Sequence, residues 1–305
     1  MSSPTVFVCG ATGTQGGALI DHLLKHNVKV HAVTRSLSST NAQRLQSLGV
    51  AITEGDFDNE ESVRQNMTHC TSLFLNLMPA LTDLNTSLEQ ARRLLKIAKE
   101  SGIKQVIYTS GVSAGNPSRN KYWDPNGIIS KMMLNKQDIE AEVRRAGFDT
   151  WTILRPGNFM TNFLFPMNQM YPGLAEHGVF TTALAPDTLL PMVDPNDIGN
   201  FAAAAILDPI ESHQQEVEIA SEFMGVEAIM RALERATGRD FKAVFMSDEE
   251  IDKQRGVNPF IAGQLMMRDM SSFVDLEKVK AWGLPLGTFD RFLIREKAKV
   301  NASYL

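Results

Sequence analysis

Cysteine is almost absent from this chain: Cys9 and Cys70 are the only two in 305 residues. Two cysteines make no disulfide framework, and such sparing use suits a reducing compartment. Basic residues are outnumbered, 30 Lys and Arg against 35 Asp and Glu, and no basic stripe offers nucleic acid a surface. No apolar run approaches the roughly 18 residues of a membrane span. None of the six histidines has Cys/His or H-E-x-x-H spacing, so no metal site is expected. No G-x-S-x-G nucleophile elbow occurs. The first strand follows directly on Met1-Ser-Ser-Pro, which leaves no room for a signal or transit peptide. The expectation is a cytosolic protein with no nucleic-acid or membrane surface.

What is present is concentrated at the start. Val6-Phe-Val-Cys runs into Gly10, Gly13 and Gly16, and Leu19, Ile20, Leu23 and Leu24 then share one helical face. Strand, glycine turn and helix, in that order, are the context of a dinucleotide fingerprint. The first glycine allows the tight turn, the next lets backbone approach a pyrophosphate, and the last permits close helix–strand packing. The helix N-terminus offers free N–H groups and a positive dipole end to the phosphates. The spacing is G-x-x-G-x-x-G. Cys9 reads as a small core residue of the strand.

Residues 28–34 form the second strand, which ends at Arg35 and Ser36. An NAD-binding unit carries an acid near this point for the ribose 2′-hydroxyl, whereas an arginine accommodates a 2′-phosphate. The acid is absent and Arg35 is present, so NADP(H) is the expected cofactor. The plain alternative is a solvated loop arginine.

A short helix at 41–48 precedes a third strand and its exit at 50–57, where Asp56 can cap a helix at 60–67. Residues 72–79 read as a fourth strand, a nearly unbroken apolar run suited to burial on both faces. Asn76, Leu77 and Met78 lie at its C-terminal end, where open α/β sheets bind ligands. An amphipathic helix at 84–101, closed by Gly102, leads to a fifth strand at 105–111. The loop at 112–126 is long, and its adjacent Tyr122 and Trp123 favour function. A helix at 127–146 and a sixth strand at 150–154 complete five β–α repeats. The fold class is therefore α/β, a Rossmann-type doubly wound parallel sheet. Beyond 157, Met160, Phe163, Phe165, Met167 and Met170 read as packing of a smaller, mostly helical C-terminal substrate domain, with a minority lining a pocket. Asp197 stands where a helix begins and reads as its cap.

The run Gly-Ala-Thr-Gly-Thr-Gln-Gly-Gly from Gly10 resembles the short-chain dehydrogenase/reductase superfamily, and more narrowly its atypical branch, the NmrA-like proteins. The resemblance implies a Rossmann domain at 1–157, with 189–220 returning to it, and a substrate domain at 158–188 and 221–305. It implies NADP(H) held by Gly10, Thr12, Gly13, Thr14, Gln15, Gly16, Arg35, Ser36, Asp56, Phe57, Asn76, Leu77, Met78, Lys136, Pro156, Asn158 and Phe159. Asp56 would then lie near the adenine amino group. The usual catalytic pair is a tyrosine and a lysine four residues apart on one helix face. Counting back from Ala146-Gly147 puts the lysine at Lys136 and leaves Met132 in the tyrosine slot. Lys131 is a rival on another face. Gly111 stands where a serine or threonine is expected, and Ser113 lies two residues on.

A thioether cannot donate a proton, so the ordinary mechanism of the superfamily is not carried over whole. Lys136 is the candidate catalytic residue. Ser113, Tyr122, Trp123, Met132 and Phe163 are the candidate substrate contacts. The expected activity is NADPH-dependent reduction of a quinone, ketone or related aromatic molecule. The alternative is a non-catalytic NADP(H)-binding redox sensor acting through a protein partner.

Overall fold

The apolar run that opens the chain is wholly buried: Val6, Phe7 and Val8 have no exposed surface. That is the fate of β-branched and aromatic residues on a strand covered on both faces. In the computed structural model, which describes residues 4–78 and 83–305, strand and helix alternate from there. The succession is β1 (Thr5–Val8), α1 (Thr14–Lys25), β2 (Lys29–Thr34), α2 (Thr40–Ser47), β3 (Ala51–Glu54), α3 (Glu60–Met67) and β4 (Ser72–Leu75). Then come α4 (Thr86–Glu100), β5 (Gln105–Thr109), α5 (Ile128–Arg145) and β6 (Thr150–Pro156).

These strands form one parallel sheet in the order β6-β5-β4-β1-β2-β3. A seventh strand, β10 (Gln215–Ile219), adds beyond β6. Trp151 and Gly157 bond to Gln214 and Ile219 in turn, so this edge strand runs parallel as well. The expected doubly wound sheet is present.

Strand and helix ends differ from expectation where side chains take over from the ladder. The fourth strand stops at Leu75, because the Asn76 carboxamide is engaged by Gln15 and Thr109. Pro79, included in that strand by sequence, lies outside the described residues. Asp56 is not the cap of α3. Its carboxylate accepts the N–H groups of Asp58 and Asn59 and turns the chain, while Asn59 caps the helix by accepting from Ser62 at 3.0 Å. Asp197 is likewise not the cap of α7 (Pro195–Leu207). Asp194 accepts the Asn196 N–H at 2.9 Å, and Asp197 instead takes the Ser221 hydroxyl at 2.6 Å and the Gly287 N–H at 2.8 Å.

The chain divides into two compact units. The first comprises Met1–Gly115, Met132–Arg155 and Ile198–Val217, and holds the large sheet. Here Gly199 of α7 meets α1 so closely that a Cβ would lie 2.5 Å from the Ala18 carbonyl carbon.

The second unit comprises Asn116–Lys131, Pro156–Asp197 and Glu218–Leu305. It contains β7 (Asn158–Phe159), α6 (Leu174–His177), β8 (Val179–Thr182), β9 (Leu189–Val193), β11 (Glu222–Gly225), α8 (Val226–Thr237) and β12 (Lys242–Phe245). Helices α9 (Asp248–Gln254), α10 (Pro259–Met267), α11 (Leu276–Lys280), α12 (Phe289–Arg295) and α13 (Lys297–Tyr304) complete it. Its strands make two small sheets, β11-β9-β7 and β12-β8. Val226, Ile229, Met230 and Leu233 give α8 one buried face against a core rich in aromatics.

Phe163 belongs to that core. It is 1% exposed and packs its ring 5.7 Å from those of Tyr171 and Phe289 and 6.1 Å from that of Phe180. Burial of such a side chain is worth about 1.5–3 kcal/mol, so Phe163 contributes to the packing of this unit.

Candidate functional site

The turn after β1 is shaped by Gly10, whose φ of +65° lies in the left-handed region. A Cβ on Gly16 would stand 2.3 Å from Gly10 O, so α1 starts against the turn with no room for a side chain. Gly13 closes the turn by donating to Gly10 O at 2.9 Å, with a φ of −91° that other residues adopt. The first helical bond runs from Gly17 to Gly13, which leaves the N–H groups of Thr14, Gln15 and Gly16 without acceptors in the helix. No side chain caps this end and no acid lies in its first turn. An anion is the natural partner of such a helix start.

Beside the turn, Asn76 Oδ1 accepts from Gln15 Nε2 and Thr109 Oγ1, each at 3.2 Å. The chain ends of α1, β4 and β5 are thereby pinned together. Gln15 Oε1 is buried without a partner, as is the Ser110 hydroxyl. A buried acceptor left unsatisfied costs about 1–3 kcal/mol, and a ligand bearing N–H or O–H groups would relieve it. The residues present therefore fit a dinucleotide. Thr12 offers its carbonyl to Asn41 at 2.8 Å. Arg35 and Ser36 are exposed past the end of β2, and Arg35 makes no ion pair with another described residue. Phe57 packs on the core below the sheet, Leu77 is buried, and Met78 is 87% exposed.

Lys136 lies on α5, half-buried, with its ammonium donating to Ser110 O at 3.0 Å. Burial holds its pKa down at about 8, and Glu140 one turn on opposes that fall. The lysine stem runs along the start of the loop after β5, 3.5 Å from where a Cβ of Gly111 would be. Ser113 is buried in the same loop with a φ of +72°, unusual for serine, and faces Met133 Sδ at 4.0 Å. Met132, its neighbour, is half-buried.

Tyr122 and Trp123 belong to the second unit. Their loop is tied down by Asn120 Nδ2 to Met266 O at 2.9 Å and by Lys121 N–H to Asp269 at 3.1 Å. The Arg268 guanidinium lies 5.7 Å from the centre of the Tyr122 ring. Pro156, Asn158 and Phe159 are in that unit too, where β7 pairs with β9 and Asn158 accepts from Asn162 at 3.0 Å.

Sequence reasoning missed Thr109, Ser110 and Met133, and it missed Glu140 and Arg155. The first two stand at the C-terminal end of a central strand, a position that is itself a ligand signal. Glu140 is four residues after Lys136, a spacing that puts both on one helix face. Among the described residues, no group of three or more His, Cys, Asp and Glu could hold a metal ion, and no helix is long and apolar enough to cross a membrane.

The family model for the NmrA-like family matches residues 2–285. The chain belongs to the NmrA-like family. An NmrA-like oxidoreductase of Penicillium ochrochloron, ptmS, is 26% identical over 252 residues, 77% of this chain and 73% of that protein. The fold is shared with the NADPH-dependent quinone oxidoreductase QOR2 of Escherichia coli, solved with NADPH, at a TM-score of 0.73 and 20% identity over 96% of this chain and 99% of that one. It is shared equally with NmrA, a negative transcriptional regulator, at a TM-score of 0.73 and 20% identity over 97% and 98%. One NmrA-like fold thus serves both a reductase and a regulator.

Proposed function

We propose that this NmrA-like chain is an NADPH-dependent reductase of a quinone, ketone or related aromatic small molecule. The observation that carries the reading is Lys136, a half-buried lysine bonded to Ser110 O at the C-terminal end of the central sheet, with its proton affinity reduced by burial. The oxidoreductase names of relatives such as ptmS support it.

NADP(H) would be held by the turn from Gly10 to Gly16 and the free N–H groups of α1, with Arg35 taking the 2′-phosphate and Gln15 and Asn76 offering carboxamides. When bound, it supplies a hydride. The chain must then see that one proton reaches the reduced substrate for each hydride. Met132 cannot supply it. Lys136 Nζ, titrating near pH 8, can hold a proton at neutral pH and release it without a large penalty.

The test is NADPH oxidation against a panel of quinones, aromatic ketones and aldehydes, for the unmodified chain and Lys136→Met. Turnover is expected, with kcat lowered in the variant by at least about 10²-fold and a smaller loss of NADPH affinity. Turnover untouched by the substitution would remove Lys136 from the chemistry. A second reading, a redox sensor passing its state to a protein partner, is favoured by the methionine in the tyrosine slot. Tight NADPH binding with no turnover on any panel member would replace the reductase by the sensor.

A further inference from the structure

Lys136, Glu140 and Arg144 recur every four residues on α5 and make one stripe along it. Glu140 is wholly buried, and its carboxylate is gripped at both oxygens by Arg155 of β6, Nε to Oε1 at 2.8 Å and Nη2 to Oε2 at 2.7 Å. Arg144 Nη2 adds a third bond, to Oε2 at 2.8 Å. Glu216 of β10 then accepts from both arginines, from Arg144 Nε at 2.6 Å and from Arg155 Nη2. Two acids and two guanidinium groups close into a network of no net charge. A buried ion pair is a weak source of stability, because desolvation offsets most of its attraction. Its placement one turn from Lys136 gives it a second effect.

The network also grips the loop that carries the lysine's acceptor. A Cβ on Gly115 would lie 2.6 Å from the Arg155 guanidinium carbon, so the loop rests directly on that group. Gln137 Nε2 donates to Gly115 O at 3.1 Å. At the start of the same loop, Lys136 bonds to Ser110 O and runs along Gly111. The first residues after β5 are thus held by Lys136 at Ser110 and lie against Arg155 at Gly115.

We propose that the buried Glu140–Arg155 pair positions Lys136 and governs how firmly its ammonium keeps a proton. Glu140 is the charged group that acts on Lys136, and Arg144, Arg155, Glu216 and Tyr108 are linked to it through that carboxylate or its network. Glu140 also helps burial to push the Tyr108 hydroxyl upward. Both arginines draw on the same carboxylate, so each weakens what Glu140 can do for the ammonium. Glu140 is a positioning residue here, acting through Lys136.

The value of this device for reduction rests on the proposed function, but its test does not. The Lys136 ammonium is titrated by NMR in the full chain carrying 13C-labelled lysine, its signal assigned by loss in Lys136→Met. Glu140→Gln removes the favourable anion and leaves the arginines, so the Lys136 pKa is expected to fall on the order of one unit. Arg144→Met removes one cation from the carboxylate and should raise it. Shifts of opposite sign are what a merely structural pair would not give. No shift, or shifts of the same sign, would overturn the proposal. If Glu140→Gln fails to fold, the half-exposed Arg144→Met decides alone, by rising or not. The expected shifts without turnover on any substrate would sink the reductase and leave this inference standing. Turnover with an unmoved lysine would do the reverse.

Discussion

Asn76 stands against Gly10: its Nδ2 lies 3.0 Å from the point where a side chain on Gly10 would begin. The turn is therefore closed from the sheet side by Asn76 and from the helix side by Gly16.

Substitution in this turn should separate folding from binding. Gly16→Ala puts a Cβ into the Gly10 backbone and should lower stability by about 1–3 kcal/mol, together with NADPH binding. Gly13→Ala meets only Gly10 O at 3.2 Å, at a φ open to alanine, and should leave the melting temperature nearly unchanged. Its loss should fall on cofactor affinity, where backbone must approach the phosphates. Thermal melts beside cofactor titrations check both, and equal effects of the two substitutions would refute the distinction.

Arg35 should set the choice of cofactor. One charge-assisted contact is worth about 1.5–3 kcal/mol, or roughly one to two decades in Kd. NADPH is expected to bind more tightly than NADH by that factor, and Arg35→Ala should abolish the difference. Titration of both cofactors against both proteins measures it. A preference that survives the substitution would assign the arginine to solvent.

Lys136 should leave a signature in stability that needs no substrate. Its folded value of about 8 lies below the ordinary 10.5. Between those values the unfolded chain keeps a proton that the folded chain has released, so stability rises with pH across the window. The melting temperature of the unmodified chain is expected to gain on that of Lys136→Met as pH climbs from about 7 to about 10. A constant difference over that range would mean that the ammonium is not desolvated.

Arg295 supplies a contrast between buried and exposed ion pairs. It binds both oxygens of the buried Asp194, at 2.7 and 2.8 Å, and is itself half-exposed. Arg295→Ala should lower stability by about 1–3 kcal/mol, because Asp194 cannot turn to water. Arg235 pairs as closely with Asp290, but both partners are more than half exposed, so Arg235→Ala should cost less than about 1 kcal/mol. Denaturant midpoints for the two variants give the comparison.

The sheet was legible because its signals are local. Gly10 and Gly16 lie within one turn, and an apolar run such as 72–75 has few ways to be buried. The helix caps were half legible: Asp56 and Asn59 are both competent, and only the φ/ψ path of the chain selects Asn59. The place of Phe163 was open in the sequence, because a run of Met and Phe carries no periodicity that separates a core from a pocket lining. The charge network on α5 was out of reach. Glu140, Arg155 and Glu216 come from three different elements, the last 61 residues beyond Arg155, and nothing local in any of them names the others.

The large sheet is finished late. Its last strand, β10, is synthesised after the whole stretch from 156 to 197 that belongs to the other unit. A nascent chain that has emerged only as far as residue 157 has β6 as an open edge, and Glu140 and Arg155 wait there for Glu216. The first unit cannot complete itself in the order in which it is made, so a chain truncated after Gly157 should pair that edge with a neighbour and aggregate. Closure of the large sheet thereby follows translation of most of the chain.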